Sequence, residues 1–515
     1  MSRRLVLSAV VAVTLLGQAV ALLYEIVVAA SFGTGRGADA LALALGLALV
    51  IANEVGTWVP ILFQPEYIEA RTTAGDSRAA AFFVRTATLL TGIGAAIAVL
   101  LIVTAPGLLS LVAGGAGPAR DAVPLLRWLA PIVVLGPLSA LLTALLQAHG
   151  RFTLPALRQV CWYVVAVGIV AALASRIGPL AVPLGLLAGL ALFCVVLMAA
   201  LPAGTIAALP SGTMAITAMR DDSRLTRLVI AAMPLVLASC ANYVNLGMER
   251  AMAARLGPGA LAALTYAFRL LNVPMTLVLA NAAAILAPSL AVHAATRETV
   301  VFETLLRRAL RLTLVFAVPV AALCAALAEP IIRLVLERGT FTADSTALTA
   351  RALVWYAPSL VGMAGVQVLV RAYQALRAIR LMVAIGIGVV ALNLVLMPLG
   401  TTLIGFRGLP LAISISTVTL FVTMLVAVGP RLPGLDPVGI LTGGARVALA
   451  GVVALGAAQA AAAAAPGGAV GILILAGTCG AVAYAVALML VSRDDARLAL
   501  DFVAPWLGRP RPASA

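Results

Sequence analysis

From end to end, the chain is built of apolar runs of about 20 residues or more, the length a helix needs to cross some 30 Å of hydrocarbon. The run at 179–201, P-L-A-V-P-L-G-L-L-A-G-L-A-L-F-C-V-V-L-M-A-A-L, carries no charged side chain at all. Composition points the same way: 63% of residues are hydrophobic and 10% are charged, where a soluble chain carries roughly a quarter charged residues. The expected fold is an all-α polytopic membrane protein.

Fourteen spans are predicted, at 5–31, 38–63, 82–113, 122–148, 153–175, 179–201, 225–250, 259–291, 305–336, 347–375, 380–402, 406–429, 438–463 and 467–491. Connections are short and marked by Gly and Pro, with no room for a soluble domain. The expected organisation is an N-terminal six-helix lobe (1–201), a cytoplasmic linker (202–224), a C-terminal six-helix lobe (225–430), and two further helices with a cytoplasmic tail (431–515). The N-terminus imitates a signal peptide, with Arg3 and Arg4 before an apolar core. The apolar character runs on to Ala30, too far for such a core, so this stretch reads as an uncleaved first span.

The formal net charge is +15, and every basic side chain is arginine. Basic residues interleaved with aromatics in a stripe, as nucleic-acid binding requires, are absent. The charge follows the positive-inside bias instead. With the N-terminus inside, only Arg36, Arg120, Arg176, Arg250, Arg255, Arg333, Arg338 and Arg407 fall outside, so both termini are expected to be cytoplasmic. The five cysteines lie within apolar segments, and neither they nor His149 and His293 have metal-ligand spacing. No cofactor is expected. Nor is there a G-x-x-x-x-G-K-[ST] loop, so an ion gradient or the membrane potential is the expected energy source, with the coupling ion open.

A repeat is visible. A-A-S-F-G-T-G at 29–35 joins spans one and two; A-A-R-L-G-P-G at 253–259 joins spans seven and eight. Six helices separate the copies, an even number, which implies parallel repeats about an axis along the membrane normal with a substrate path between them.

Polar residues inside the membrane are expensive and turn toward one another or toward water. At 100° per residue, Thr14, Gln18 and Glu25 share a face of span one. Asp39, Asn53, Glu54 and Thr57 share a broad side of span two. Ser239, Asn242, Asn245 and Glu249 form a stripe on span seven beside Arg250. Thr265, Tyr266, Arg269, Asn272 and Thr276 form one on span eight. Arg269 is the most demanding, because a mid-membrane cation costs at least a few kcal/mol by insertion scales. These stripes are expected to surround a hydrated cavity, with Glu25, Glu54 and Glu249 as counter-charges. The planar guanidinium fork suits an anionic, phosphate-bearing headgroup.

The chain resembles the MurJ (MviN) family of lipid flippases, within the multidrug/oligosaccharidyl-lipid/polysaccharide exporter superfamily. The resemblance rests on V-V-A-A-S-F-G-T-G-R-G-A-D-A at 27–40, Y-A-F-R-L at 266–270 with Pro274 and I-L-A-P-S-L at 285–290, and E-R-G-T-F at 337–341. It extends through V-R-A-Y-Q-A-L-R at 370–377 and L-N-L-V-L at 392–396, then Gly405, Gly408 and L-A-I-S at 411–414. It implies two six-helix lobes in pseudo-twofold relation plus two appended helices. It also implies a bacterial inner-membrane flippase that moves an undecaprenyl-diphosphate-linked saccharide by alternating access, lipid II being the usual cargo. Membrane lipids and cell-wall synthesis proteins are the implied partners, and Arg269 is the implied cavity arginine.

Two departures weaken the expected positive field. Tyr24 stands where the family's first span usually has an arginine, in A-L-L-Y-E at 21–25. The second span, L-G-L-A-L-V-I-A-N-E at 45–54, has none. The alternatives are a related lipid-linked glycan as cargo, or contacts supplied instead by Arg250 and Arg255. A cation-coupled drug antiporter would suit Glu25, Glu54 and Asp39 but not Arg269, and a non-transporting envelope scaffold is a further alternative. A membrane glycosyltransferase would need a long catalytic loop, so the chain is read as a transporter and not an enzyme.

Overall fold

The structure is a computed structural model in which residues 3–113, 117–201, 223–275, 293, 298–465 and 468–503 are described. The 202–224 linker (up to residue 222), the I-L-A-P-S-L stretch with the rest of span eight, and the tail beyond 503 lie outside the described residues. No strand occurs among those described. The helices are α1 (Arg3–Phe32), α2 (Arg36–Ala74), α3 (Asp76–Ala113), α4 (Gly117–Leu129), α5 (Ile132–Ala148), α6 (Thr153–Ala156), α7 (Arg158–Ile177), α8 (Ala181–Ala199) and α9 (Ser223–Arg255). They continue as α10 (Ala260–Pro274), α11 (Thr299–Ala326), α12 (Ala328–Leu336), α13 (Ala343–Ala375), α14 (Ile379–Ile404), α15 (Gly408–Val428), α16 (Pro437–Ala464), α17 (Ala469–Val491) and α18 (Arg493–Val503).

Ten helical stretches among the described residues are long and apolar enough to cross a membrane. Two of them, Thr153–Ala199 and Ile379–Arg431, each contain two spans. The division falls at a short 3-10 turn opened by a glycine in the left-handed region, Gly178 (φ 61°) in one case and Gly405 (φ 61°) in the other. A side chain there would be strained, so glycine is what allows the chain to reverse. The two turns occupy corresponding places in the two six-helix repeats, between spans five and six and between spans eleven and twelve. With α9, and with α10 for the described part of span eight, the predicted spans have helical counterparts among the described residues. Several helices overrun their predicted spans: α2 has 39 residues and α3 has 38.

The chain divides into two compact units, Met1–Ala262 with Arg338–Phe341, and Ala263–Glu337 with Thr342–Ala515. Within the first unit α9 packs against α2 and α3. In the first unit α2 lies against α5, and α7 pairs with α8 through small residues. The backbone of Trp162 leaves no space for a side chain at Gly189, as expected where lipid offers no hydrophobic drive and close approach must supply the contact. The outward face of α3 presents Val99, Leu100, Val103 and Leu111, a surface suited to acyl chains.

In the second unit Phe302, Leu310, Leu369, Tyr373, Phe421 and Leu425 form one buried cluster, and the Tyr373 hydroxyl donates to the Met424 carbonyl at 2.9 Å. Beside it, α11, α13, α15 and α16 line an open apolar cavity of about 590 Å³ with residues such as Val318, Trp355, Pro358, Phe421 and Leu455.

Candidate functional site

Three turns of the first unit meet at one end of α1 and α2. The α1–α2 turn carries Gly33 (φ 56°), and the turn before α10 carries Gly259 (φ 85°). These are the two copies of the repeat motif, and they lie in contact: a side chain on Gly259 would meet the Thr34 carbonyl at 3.0 Å. Asp39, in the first turn of α2 and 1% exposed, fixes the junction. One of its carboxyl oxygens accepts from the Gly259 N–H at 2.6 Å, the other from the Ala262 N–H at 2.8 Å. The first N–H groups of a helix have no partner within it, so Asp39 caps α10 from another helix. The R-G-T-F part of the 337–341 motif completes the junction. Thr340 donates to the Ala30 carbonyl at the end of α1, from its backbone N–H at 2.9 Å and its hydroxyl at 3.1 Å.

Farther along α2, Arg250 of α9 reaches across the helix. Its Nη1 donates to the Ala42 carbonyl at 2.6 Å, and its guanidinium occupies the space that a side chain at Gly46 would need. Asn245 and Glu249 on the same helix are half-buried. The Asn242 side chain lies outside the described residues.

α1 and α7 run together, and α7 meets α2 at Asn53. Gln159 fills the space over Gly17, and the buried Tyr24 ring lies 5.0 Å from that of Tyr163. Tyr163 stacks with Trp162 at 5.5 Å and 12°. Arg158 places its Cζ 5.5 Å from the centre of the Trp162 ring and its Nη2 3.4 Å from Asn53 Oδ1. Glu25 and Glu54 are half-buried on α1 and α2.

In the second unit, Thr265, Arg269 and Asn272 fall at i, i+4 and i+7 on α10 and are all half-buried, while Ala267 and Leu271 are buried. The polar stripe read from the sequence is therefore the less enclosed face of the helix. Tyr266 is buried. Asn272 donates back to the Phe268 carbonyl at 2.9 Å, and the Phe268 ring meets Tyr356 edge-on at 5.6 Å.

The sequence profile described as "Lipid II flippase MurJ" matches residues 28–477. The chain belongs to this family. Among MurJ relatives, that of Burkholderia cenocepacia is 30% identical over 189 residues, 37% of this chain and 37% of the relative. A probable lipid II flippase MurJ of Rhizobium meliloti is 31% identical over 130 residues, 25% of this chain and 24% of the relative. The aligned stretches thus span between about a quarter and little more than a third of the curated relatives they match. A solved structure described as "Lipid II flippase MurJ, inward closed conformation" has a TM-score of 0.79 at 19% identity, covering 94% of this chain and 99% of that one. An inward-facing multidrug resistance MATE family transporter of the MOP superfamily follows at 0.70 and 14%, covering 83% and 98%. The fold is that of MurJ and its superfamily neighbours.

Against the MurJ pattern, the sequence-derived site residues fall into separate places. Asp39 lies at the turn junction and Arg250 on α2 beside Gly46. Tyr24 and Asn53 sit at the two ends of the aromatic ladder on α7. The ladder's own members, Arg158, Trp162 and Tyr163, were not among the sequence candidates, because Arg158 counts as a headgroup-level charge in the orientation rule. The signal was there in R-Q-V-C-W-Y at 158–163, where Arg and Trp stand at i and i+4, the spacing that stacks side chains on one face of a helix.

Proposed function

We propose that this MurJ-family chain is a flippase that carries an undecaprenyl-diphosphate-linked saccharide, lipid II or a related lipid-linked glycan, across the bacterial inner membrane by alternating access. The observation that carries the reading is the position of Arg269. It stands within Y-A-F-R-L on the less enclosed face of α10, in a chain whose family match covers residues 28–477. The planar guanidinium fork suits a phosphate-bearing guest, and the diphosphate is one. Asn272 and Tyr266 flank it on the helix. In the first unit Glu25, Asn53, Glu54, Asn245 and Glu249 offer polar contacts to the saccharide, with Arg250 beside them. The turn junction held by Asp39 closes one end. The polyprenyl tail stays in hydrocarbon, for which the apolar cavity of the second unit is a suitable surface. Cell-wall synthesis proteins act before and after it, both termini face the cytoplasm, and an ion gradient or the membrane potential drives the cycle. A related glycan is favoured over lipid II to the extent that Tyr24 and the arginine-free second span reduce the positive charge.

The test is depletion of the chain in its host, with outer-leaflet lipid II and exopolysaccharide measured together. Loss of outer-leaflet lipid II assigns the peptidoglycan precursor; loss of exopolysaccharide alone assigns another glycan; loss of neither removes the flippase reading. Complementation by Arg269→Ala is expected to fail with membrane insertion intact. A fully active Arg269→Ala chain would remove the role given to that residue.

A further inference from the structure

The first unit holds a cation that the proposal above leaves unused. Arg158 is half-buried at the start of α7. Its hydrogen-bond acceptor is the neutral amide of Asn53, at a long 3.4 Å, and among the described residues no ion pair engages it. A guanidinium has five N–H donors, so most of its capacity is unspent. Trp162 meets it through the ring, whose centre lies 5.5 Å from Cζ. A cation–π contact consumes none of the N–H donors that bind phosphate oxygens, so one guanidinium can hold both.

The depth is suitable. Asn53 lies 17 residues past Arg36 at the start of α2, a rise of about 26 Å, close to the far side of a hydrocarbon layer about 30 Å thick. Arg158 therefore stands at one mouth of the polar stripe of α2. Through Trp162 and Tyr163 it adjoins Tyr24, the position on α1 that lacks an arginine.

We infer that Arg158, seated on Trp162 and only weakly held by Asn53, is a specificity-determining contact for the phosphate groups of the cargo, supplying from α7 the charge that α1 and α2 lack. This rests on the flippase reading. The test uses the purified full-length chain in detergent with farnesyl diphosphate as probe and inorganic pyrophosphate and phosphatidylglycerol as competitors. Binding and thermal melting are measured for the parent, Arg158→Gln and Arg158→Lys. The expected result is a loss of affinity of about tenfold or more in Arg158→Gln, the scale of one charge-assisted hydrogen bond. Arg158→Lys should lose less, the melting midpoint should be unchanged, and pyrophosphate should compete better than phosphatidylglycerol. Undiminished binding in Arg158→Gln overturns the inference and leaves the flippase reading standing. A lowered melting point in both variants, or equal competition by phosphatidylglycerol, makes Arg158 a structural or bilayer anchor and also overturns it. If the parent binds no diphosphate, the cargo reading falls, and this inference with it.

Discussion

Asp39 holds two backbone N–H groups of a helix that begins 220 residues later in the chain. Each of its carboxyl oxygens faces a donor, so asparagine cannot replace it: one arm of the amide would point N–H against N–H. Asp39→Ala leaves two buried donors unmatched at about 1–3 kcal/mol each. The melting midpoint in detergent should drop clearly for both Asp39→Ala and Asp39→Asn, and a chain with Asp39→Asn as stable as the parent would refute this account. The sequence marked Asp39 as polar and intramembrane but gave no sign of its partner. A cap supplied by a distant helix depends on tertiary contact, which helix periodicity does not encode. Arg250 was legible to the same extent. Its charge and depth could be read, but not that it lies flat on Gly46, a position at which any larger residue would displace it.

One face of α11 fastens the last helices to the second unit. Glu303, Arg307 and Arg311 stand at i, i+4 and i+8, and so share that face. Glu303 accepts from the Gly434 N–H at 3.1 Å, and Arg307 donates to the carbonyls of Gly434 and Leu435 in the turn before α16. Arg311 pairs with Asp495 of α18 at 2.6 Å; Asp495 is 2% exposed and also accepts from Ser492. Removing one member of a buried pair strands the other charge. Arg311→Ala is expected to cost about 3 kcal/mol, the low end for such a pair because Arg311 is partly open to solvent. Arg311→Ala with Asp495→Ala should recover most of that in thermal melting, since no unpaired charge remains buried; losses that simply add would count against the pairing. These arginines were counted in the sequence only as cytoplasmic charge. Their use as fasteners needed the turn and α18 to be placed.

Across the whole molecule, the bilayer made the fold legible. It imposes one length on every crossing, so among the described residues the predicted spans find their helices, and the repeat reappears in the matched turns at Gly178 and Gly405. What the bilayer does not constrain was harder to read: the overrun of α2 and α3, the association of α9 with the first unit, and the α7 ladder. Orientation rests on arginine counts alone. Reporter fusions after residue 515 and before Met1 should both fluoresce as cytoplasmic proteins and show no extracytoplasmic phosphatase activity; phosphatase activity at either end would reverse the topology.

The 39 residues of α2 make a rod about 58 Å long, pinned at its first turn by Asp39 and braced one turn later through the Ala42 carbonyl by Arg250. Pro60 and Pro65 lie well beyond those fixed points. The far end is held as well, by buried Phe63 and Tyr67 and by the Glu66–Arg227 pair, so a swing of about 10° about the pinned end would carry those partners through about 10 Å with it.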